Sequence, residues 1–208
     1  MSGRDLVRRH SWAALGTSLL LLSATAVAAQ QVEYRVAAEG NEARYRVREQ
    51  LANIDFPSDA VGTTSAVTGA IVIGADGRIV KESSKFTIDL TTLATDSDMR
   101  DNFVRRNTLQ TETHGSAVFV PTEFRGVTLP LPASGDMTFQ MVGELTLREV
   151  TRPVTWEVTA KVEGTTISGQ AKTQFTFADF EMTKPSVRRV LSVNDEIRLE
   201  YDFRLVRQ

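Results

Sequence analysis

The chain has 208 residues, no cysteine and a formal net charge of −2, with 24 lysines and arginines against 26 aspartates and glutamates. That balance, without any long charge run, excludes a nucleic-acid-binding arm, and the missing cysteines exclude disulfides. Hydrophobic residues make up 41%, so a large packed domain must hold the fold by itself.

The first thirty residues differ in kind from the rest. Arg4, Arg8 and Arg9 precede an apolar run from Trp12 to Leu22, which leads into small residues from Ala24 to Ala29. This pattern predicts a secretory signal peptide over 1–29, cleaved after Ala28 or Ala29. The apolar run is short for a membrane span of about 20 residues. No cysteine stands at the cleavage position to carry a lipid. Removing the signal takes three arginines and Asp5, which leaves 30–208 with 21 cations against 25 acids, a net charge of −4. The expected product is one domain of ordinary size, periplasmic or secreted, with no stable membrane insertion.

The remainder reads mostly as strand. Glu42 to Leu51 alternates, with Arg44, Arg46 and Arg48 on a face that must meet water and Ala43, Tyr45, Val47, Glu49 and Leu51 on the other. Asn53 to Thr64, with Pro57, Asp59 and Gly62, reads as a loop. Val67 to Ile73 is a short strand, and Gly74-Ala75-Asp76-Gly77 supplies hairpin chemistry before a strand from Ile79 to Leu90. Phe86, Ile88 and Leu90 share the dry side of that strand.

The period then changes. From Asp96 to Asn107 the alternation stops, and Met99 and Phe103 sit four apart. Asp96, Ser97 and Asp98 offer caps, and Arg105 and Arg106 suit a last turn, so one short helix is predicted, its apolar stripe facing inward across a barrel end. In that arrangement Arg100, Arg105 and Arg106 lie nearer solvent. Ala117 to Phe124 returns to strand, with Pro121 marking an edge or bulge.

A long hairpin follows from Asp136 to Val162. Met137, Phe139, Met141, Leu145 and Leu147 alternate with polar residues, and beyond Arg148 to Pro153 the phase flips to Val154, Trp156, Val158, Ala160 and Val162. Each arm of about ten residues, at roughly 3.3 Å per residue, suits a deep barrel better than a short-stranded sandwich. Thr165 to Phe177 is the next strand, Ala178 to Asn194 a loop, and Ile197, Leu199, Tyr201, Phe203 and Leu205 mark the dry face of the last strand. Eight strands and one helix predict an all-β, eight-stranded antiparallel barrel with the helix covering one end. An outer-membrane barrel would put the dry faces outward, but the mixed charges of the wet faces suit solvent.

Few residues here suit catalysis. His114 is the only histidine after the signal, and no G-x-S-x-G or H-E-x-x-H pattern accompanies it. With no cysteine, metal ligands are scarce, and helix capping accounts for Asp96, Asp98 and Asp101 more simply than a calcium loop does. No cofactor and no enzymatic activity are expected.

The run Gly143-Glu144-Leu145-Thr146-Leu147-Arg148-Glu149-Val150-Thr151-Arg152-Pro153-Val154 is similar to the G-x-L-T-I-R-G-V-T-R-P-V signature of YceI-like, polyisoprenoid-binding periplasmic proteins. Leu93-Ala94-Thr95 with Arg100-Asp101, then Asp179-Phe180 and Asp195-Glu196-Ile197, resemble further elements of that family. Two positions depart from it: Glu149 replaces the turn glycine, and Phe103 stands where many members have histidine. The resemblance implies a lipocalin-like barrel with an extended hydrophobic cavity, and an isoprenoid or other long-chain lipid as partner.

Phe86, Ile88, Met99, Phe103, Phe119, Phe139, Met141, Trp156, Phe175 and Tyr201 are the expected ligand-binding residues, with Arg100, Arg105 and Arg106 as head-group candidates. Glu49 and Glu82 fall in phase with apolar neighbours and are expected to lie or pair at the barrel ends. The function expected is an exported binding protein that sequesters or carries a long-chain amphiphile. The alternative is an envelope stress or protein-interaction module whose barrel is filled by its own side chains; a lipid-acting enzyme is the weakest reading. The shape of the interior separates the first two.

Overall fold

The computed structural model describes residues 31–52 and 54–208, so the expected signal segment lies outside the described residues. Alternation resolves into ten strand segments: β1 (Val32–Val36), β2 (Glu42–Leu51), β3 (Ser58–Thr64), β4 (Val67–Ile73), β5 (Lys85–Asp89), β6 (Ser116–Arg125), β7 (Ser134–Leu147), β8 (Val150–Glu163), β9 (Thr166–Thr176) and β10 (Val190–Arg207). One α-helix, α1 (Asp98–Phe103), runs on as a π-helical turn to Leu109. All strand pairings are antiparallel, and β1 pairs both β4 and β10, which closes the ring. β2 continues β1 along one edge of β10, and β3 continues β4 in the same way, so the ten segments make eight staves. This is the expected eight-stranded barrel. Closure encloses a single hydrophobic core inside the ring among the described residues, built from positions between 32 and 205.

The join between β1 and β2 depends on buried Asn41. Gly40 adopts φ 81°, a conformation that favours glycine, and so lets the chain bulge. Asn41 Nδ2 donates to the carbonyl of Ala37 at 2.8 Å, while its Oδ1 accepts from the Arg204 amide at 3.0 Å and the Tyr201 hydroxyl at 2.8 Å. One side chain thus stands in for the ladder bonds that the bulge removes.

The hairpin is longer than its pattern suggested. β7 and β8 pair in step from Ser134–Glu163 to Leu147–Val150, leaving a two-residue turn of Arg148 and Glu149. Arg148, not Glu149, takes the left-handed conformation, with φ 56°. Pro121 sits at a bulge in β6, as expected. Three local expectations are corrected. Ser58–Thr64, read as loop, is β3; its inward positions hold Ala60, Gly62 and Thr64 because the Tyr45 ring occupies the space a side chain would need. A Cβ on Gly62 would lie 2.2 Å from Tyr45 Cε1. The strand expected over 79–90 is only Lys85–Asp89, since Lys81–Ser83 and Leu90–Thr92 are 3-10 turns. The final strand begins at Val190 rather than near Glu196.

On the outer face, the three arginines of β2 enter an ion-pair network instead of meeting water freely. Arg44 keeps only 14% of its side chain exposed and pairs with Glu200 at 3.2 Å, with Glu42 at 2.8 Å and with Asp202. Arg46 reaches Glu200 at 3.1 Å, and Asp59 accepts from Arg198 at 2.8 Å and Arg48 at 3.4 Å. Partial burial opposes ionisation of Glu200 and Asp202, yet the guanidinium groups of Arg46 and Arg44 hold Glu200 below its ordinary value. Arg44 and Gln170 do the same for Asp202.

Two expectations follow. Replacing Asn41 by Ala strands the Tyr201 hydroxyl and the Arg204 amide, and should cost about 2 kcal/mol in urea unfolding; a cost under about 0.5 kcal/mol would mean that the bulge holds without it. For the ion-pair network, folded pKa values below the unfolded ones mean that stability is full above about pH 5 and is lost as pH falls through the depressed values. Glu200→Gln with Asp202→Asn should therefore flatten the drop in urea midpoint between about pH 6 and pH 3.5. An unchanged slope would locate acid lability elsewhere.

Candidate functional site

Inward-facing side chains from every stave do not meet across the axis. They line one cavity of about 820 Å³, within the roughly 300–1,000 Å³ range of small-molecule sites. It runs the length of the barrel. Leu131, Met137 and Leu205 line it at one end, and Leu51, Ile54, Met99 and Val187 at the other. The aromatics pack against the wall in edge-on pairs, Phe119 on Trp156 at 5.8 Å and Phe124 on Phe139 at 5.6 Å between ring centres. Wall stacking leaves the axis open.

All ten residues expected to face a ligand line this cavity. Met99 is the one whose placement differs: it is 71% exposed at the mouth, not buried beneath the helix, while Phe103 is half-buried. Arg100 instead turns inward, with only 21% of its side chain exposed. Its Nη2 donates to Glu49 at 2.8 Å, and its other terminal nitrogen pairs with Asp96. The reason is electrostatic. Glu49, 8% exposed on the dry face of β2, requires a partner, and the six-residue helix presents one. The Arg100 guanidinium, expected nearer solvent with Arg105 and Arg106, is therefore engaged by two carboxylates. Arg105 donates to the Leu93 carbonyl at 3.1 Å, Arg106 is exposed, and neither lines the cavity. Glu82 lies exposed on a 3-10 turn.

Helix geometry is set by small devices. Ser97 caps the start, accepting from the Arg100 amide, and buried Asp101 accepts from the Thr95 amide at 2.8 Å and its hydroxyl at 2.6 Å. Gln110 ends the π turn with φ 54°. The cavity wall carries three buried polar atoms without a hydrogen-bond partner among the described residues: Tyr45 Oη, Thr108 Oγ1 and Trp156 Nε1. Burial pushes the Tyr45 phenol up to about 12, so it stays a neutral donor. Tyr45 was legible as an inward position of β2, but nothing in the sequence marked Thr108, which the π turn brings inward.

His114 borders a separate polar recess with Arg148, Arg152 and Glu181, where Arg152 pairs with Glu181 at 3.2 Å. Among the described residues no histidine and carboxylate cluster is placed to hold a metal ion.

A closed barrel with an open apolar axis has clear relatives. The family model for the YceI-like domain matches residues 34–205. The chain belongs to the YceI-like domain family. Solved structures with this fold include a polyisoprenoid-binding domain from Saccharophagus degradans, 16% identical over 84% of this chain and 98% of that one, with a TM-score of 0.66. BcnA from Burkholderia cenocepacia is 17% identical over 79% and 95%, with a TM-score of 0.58. The YceI protein of Campylobacter jejuni is 14% identical over 76% and 90%, with a TM-score of 0.55. No curated protein matches the chain at a significant level. At these identities the likeness is one of fold. The YceI-like signature falls on the turn joining β7 and β8, at the same end of the barrel as the helix, since Val118 at the start of β6 pairs with Thr146 near the end of β7.

The Glu49–Arg100 pair gives a direct test. Arg100→Gln alone leaves a buried carboxylate unpaired and should destabilise by about 3 kcal/mol. Adding Glu49→Gln should recover much of that loss, giving a coupling of at least about 1 kcal/mol in a double-mutant cycle. Additive losses would mean that the pair contributes nothing as a pair.

Proposed function

We propose that this protein is an exported, non-enzymatic carrier that holds a long-chain amphiphile, of isoprenoid or similar character, along the barrel axis. One observation carries the reading: the inward faces leave a continuous apolar cavity of about 820 Å³ instead of filling the axis. Burying a chain there contributes roughly 0.8 kcal/mol per methylene, so a long tail binds tightly with few polar contacts. Membership of the YceI-like family and the polyisoprenoid binding named for the S. degradans domain support the same class of cargo. Phe86, Ile88, Phe119, Phe139, Met141, Trp156, Phe175 and Tyr201 contact the tail, and Met99 and Phe103 flank the entrance. The polar end lies toward the helix, within reach of the Tyr45 and Thr108 hydroxyls, with Arg100, Arg105 and Arg106 nearby. An interaction module with a self-filled barrel fits the open axis poorly. The basic and apolar start of the sequence supports delivery to the periplasm or outside the cell.

Trp156 is the only tryptophan in residues 31–208 and lines the cavity. Titrating farnesol into delipidated 31–208 should quench or shift its emission saturably. Ala171→Phe, which inserts a ring into the axis at a wall position, should weaken that affinity about tenfold or more. A flat titration together with no heat of binding would remove the carrier reading.

A further inference from the structure

The mouth of the cavity carries an apolar rim that the barrel itself does not use. Five large hydrophobic side chains are exposed among the described residues, and all five lie at the helical end. Ile54 and Phe56 stand in the loop between β2 and β3, Met99 on α1, and Val187 and Leu191 around the start of β10. Ile54, Met99 and Val187 line the opening, whereas Phe56, 79% exposed, and Leu191, 67% exposed, lie outside the cavity lining. Pairing of Leu51 with Val190, and the Ala52 amide donating to the Arg189 carbonyl, hold the two loops side by side. Isolated exposed hydrophobics are ordinary, but concentration around a single opening marks a contact surface.

Charge indicates what the surface meets. Lys184, Arg188, Arg189 and Arg106 are exposed at this end, and none forms an ion pair among the described residues. Against them the rim segments present Asp55, Asp98 and, at the start of the β9–β10 loop, Asp179, with Asp96 held by Arg100 and Glu181 by Arg152. The cationic run is local: residues 184–191, which carry Val187 and Leu191, hold Lys184, Arg188 and Arg189 and no acid, on a chain whose net charge is −2. An apolar tip flanked by unpaired cations is the chemistry of a surface that enters the interface of an anionic bilayer, with rings and aliphatic chains among the acyl boundary and guanidinium groups at the phosphates.

We propose that the rim docks the open mouth reversibly onto an anionic lipid bilayer, so that an insoluble chain passes between membrane and cavity without crossing water. The proposal rests on the carrier reading for its purpose, but not for its geometry. The Glu49–Arg100 pair fixes the helix beside the opening, so docking places Met99 and Phe103 at the point of entry.

The test uses residues 31–208 and flotation with vesicles of phosphatidylcholine alone or mixed with phosphatidylglycerol. The wild type should bind the mixed vesicles at least about tenfold more strongly than phosphatidylcholine alone, and lose that preference in high salt. Phe56→Asp with Leu191→Asp should weaken vesicle binding about tenfold or more while leaving farnesol affinity, read at Trp156, unchanged. Arg188→Gln with Arg189→Gln should reduce both vesicle binding and its salt dependence. Absence of wild-type binding, or rim variants that float as well as wild type, overturns the proposal. So does a dimer in sedimentation that the rim changes dissolve, because the rim then covers a second copy. If farnesol fails to bind while rim-dependent flotation persists, carriage is wrong and the docking surface stands.

Discussion

The interior depends on β10 holding two partners along one edge. Eighteen residues long, β10 pairs β9 on one side and both β2 and β1 on the other. An antiparallel ring with eight staves is about as small as a barrel can be while keeping room inside for more than its own side chains. Had β1 and β2 run as one straight strand, the ring would close with a uniform stagger. The break at Gly40 and Asn41 instead lets the two halves follow different parts of β10, and Tyr201 is tied into that break from inside the wall. Closure and cavity wall therefore share an atom.

The same economy governs the helical end. A six-residue helix is too short to be stable alone, since helices under about 12 residues are marginal in water. It holds its position through three side-chain contacts: a serine cap, a buried Asp101 closing on Thr95, and an ion pair to the barrel wall at Glu49. A buried pair of this kind adds less stability than an apolar pair of equal volume, but it fixes orientation, because either charge left alone is expensive. The helix therefore has one register against the rim.

Much of this was legible in the sequence. The β7–β8 hairpin was, because two arms of about ten residues with a clean two-residue period leave no other structure available, although the pairing runs on to fourteen residues and closes on a two-residue turn. The eight strand residues of the cavity were, because period two sends Phe86, Phe139 or Trp156 to the same side of the sheet wherever the ring closes. β3 was hidden, since Ala60 and Gly62 on its inward face carry no hydrophobic signal; the missing volume is supplied by Tyr45 from the next strand. β1 escaped notice, its short run close to the expected signal boundary. Arg100 and Met99 exchanged their expected places for a similar reason: a stripe of two apolar residues on a short helix is a weaker demand than one buried carboxylate across the mouth. Pattern records what a segment prefers alone, and long-range partners decide what it does.

The cavity wall offers almost only carbon, and some of it, at Met99, Met137 and Met141, on unbranched side chains that reshape at little cost. Such a wall measures length and girth; it has few means of reading identity. Each methylene added to a fitting chain changes affinity by roughly fourfold, until the chain outgrows the axis and the gain stops. Two molecules of equal apolar length would compete there nearly as equals, so an occupant would be chosen by the local supply of greasy chains more than by any recognition built into the wall.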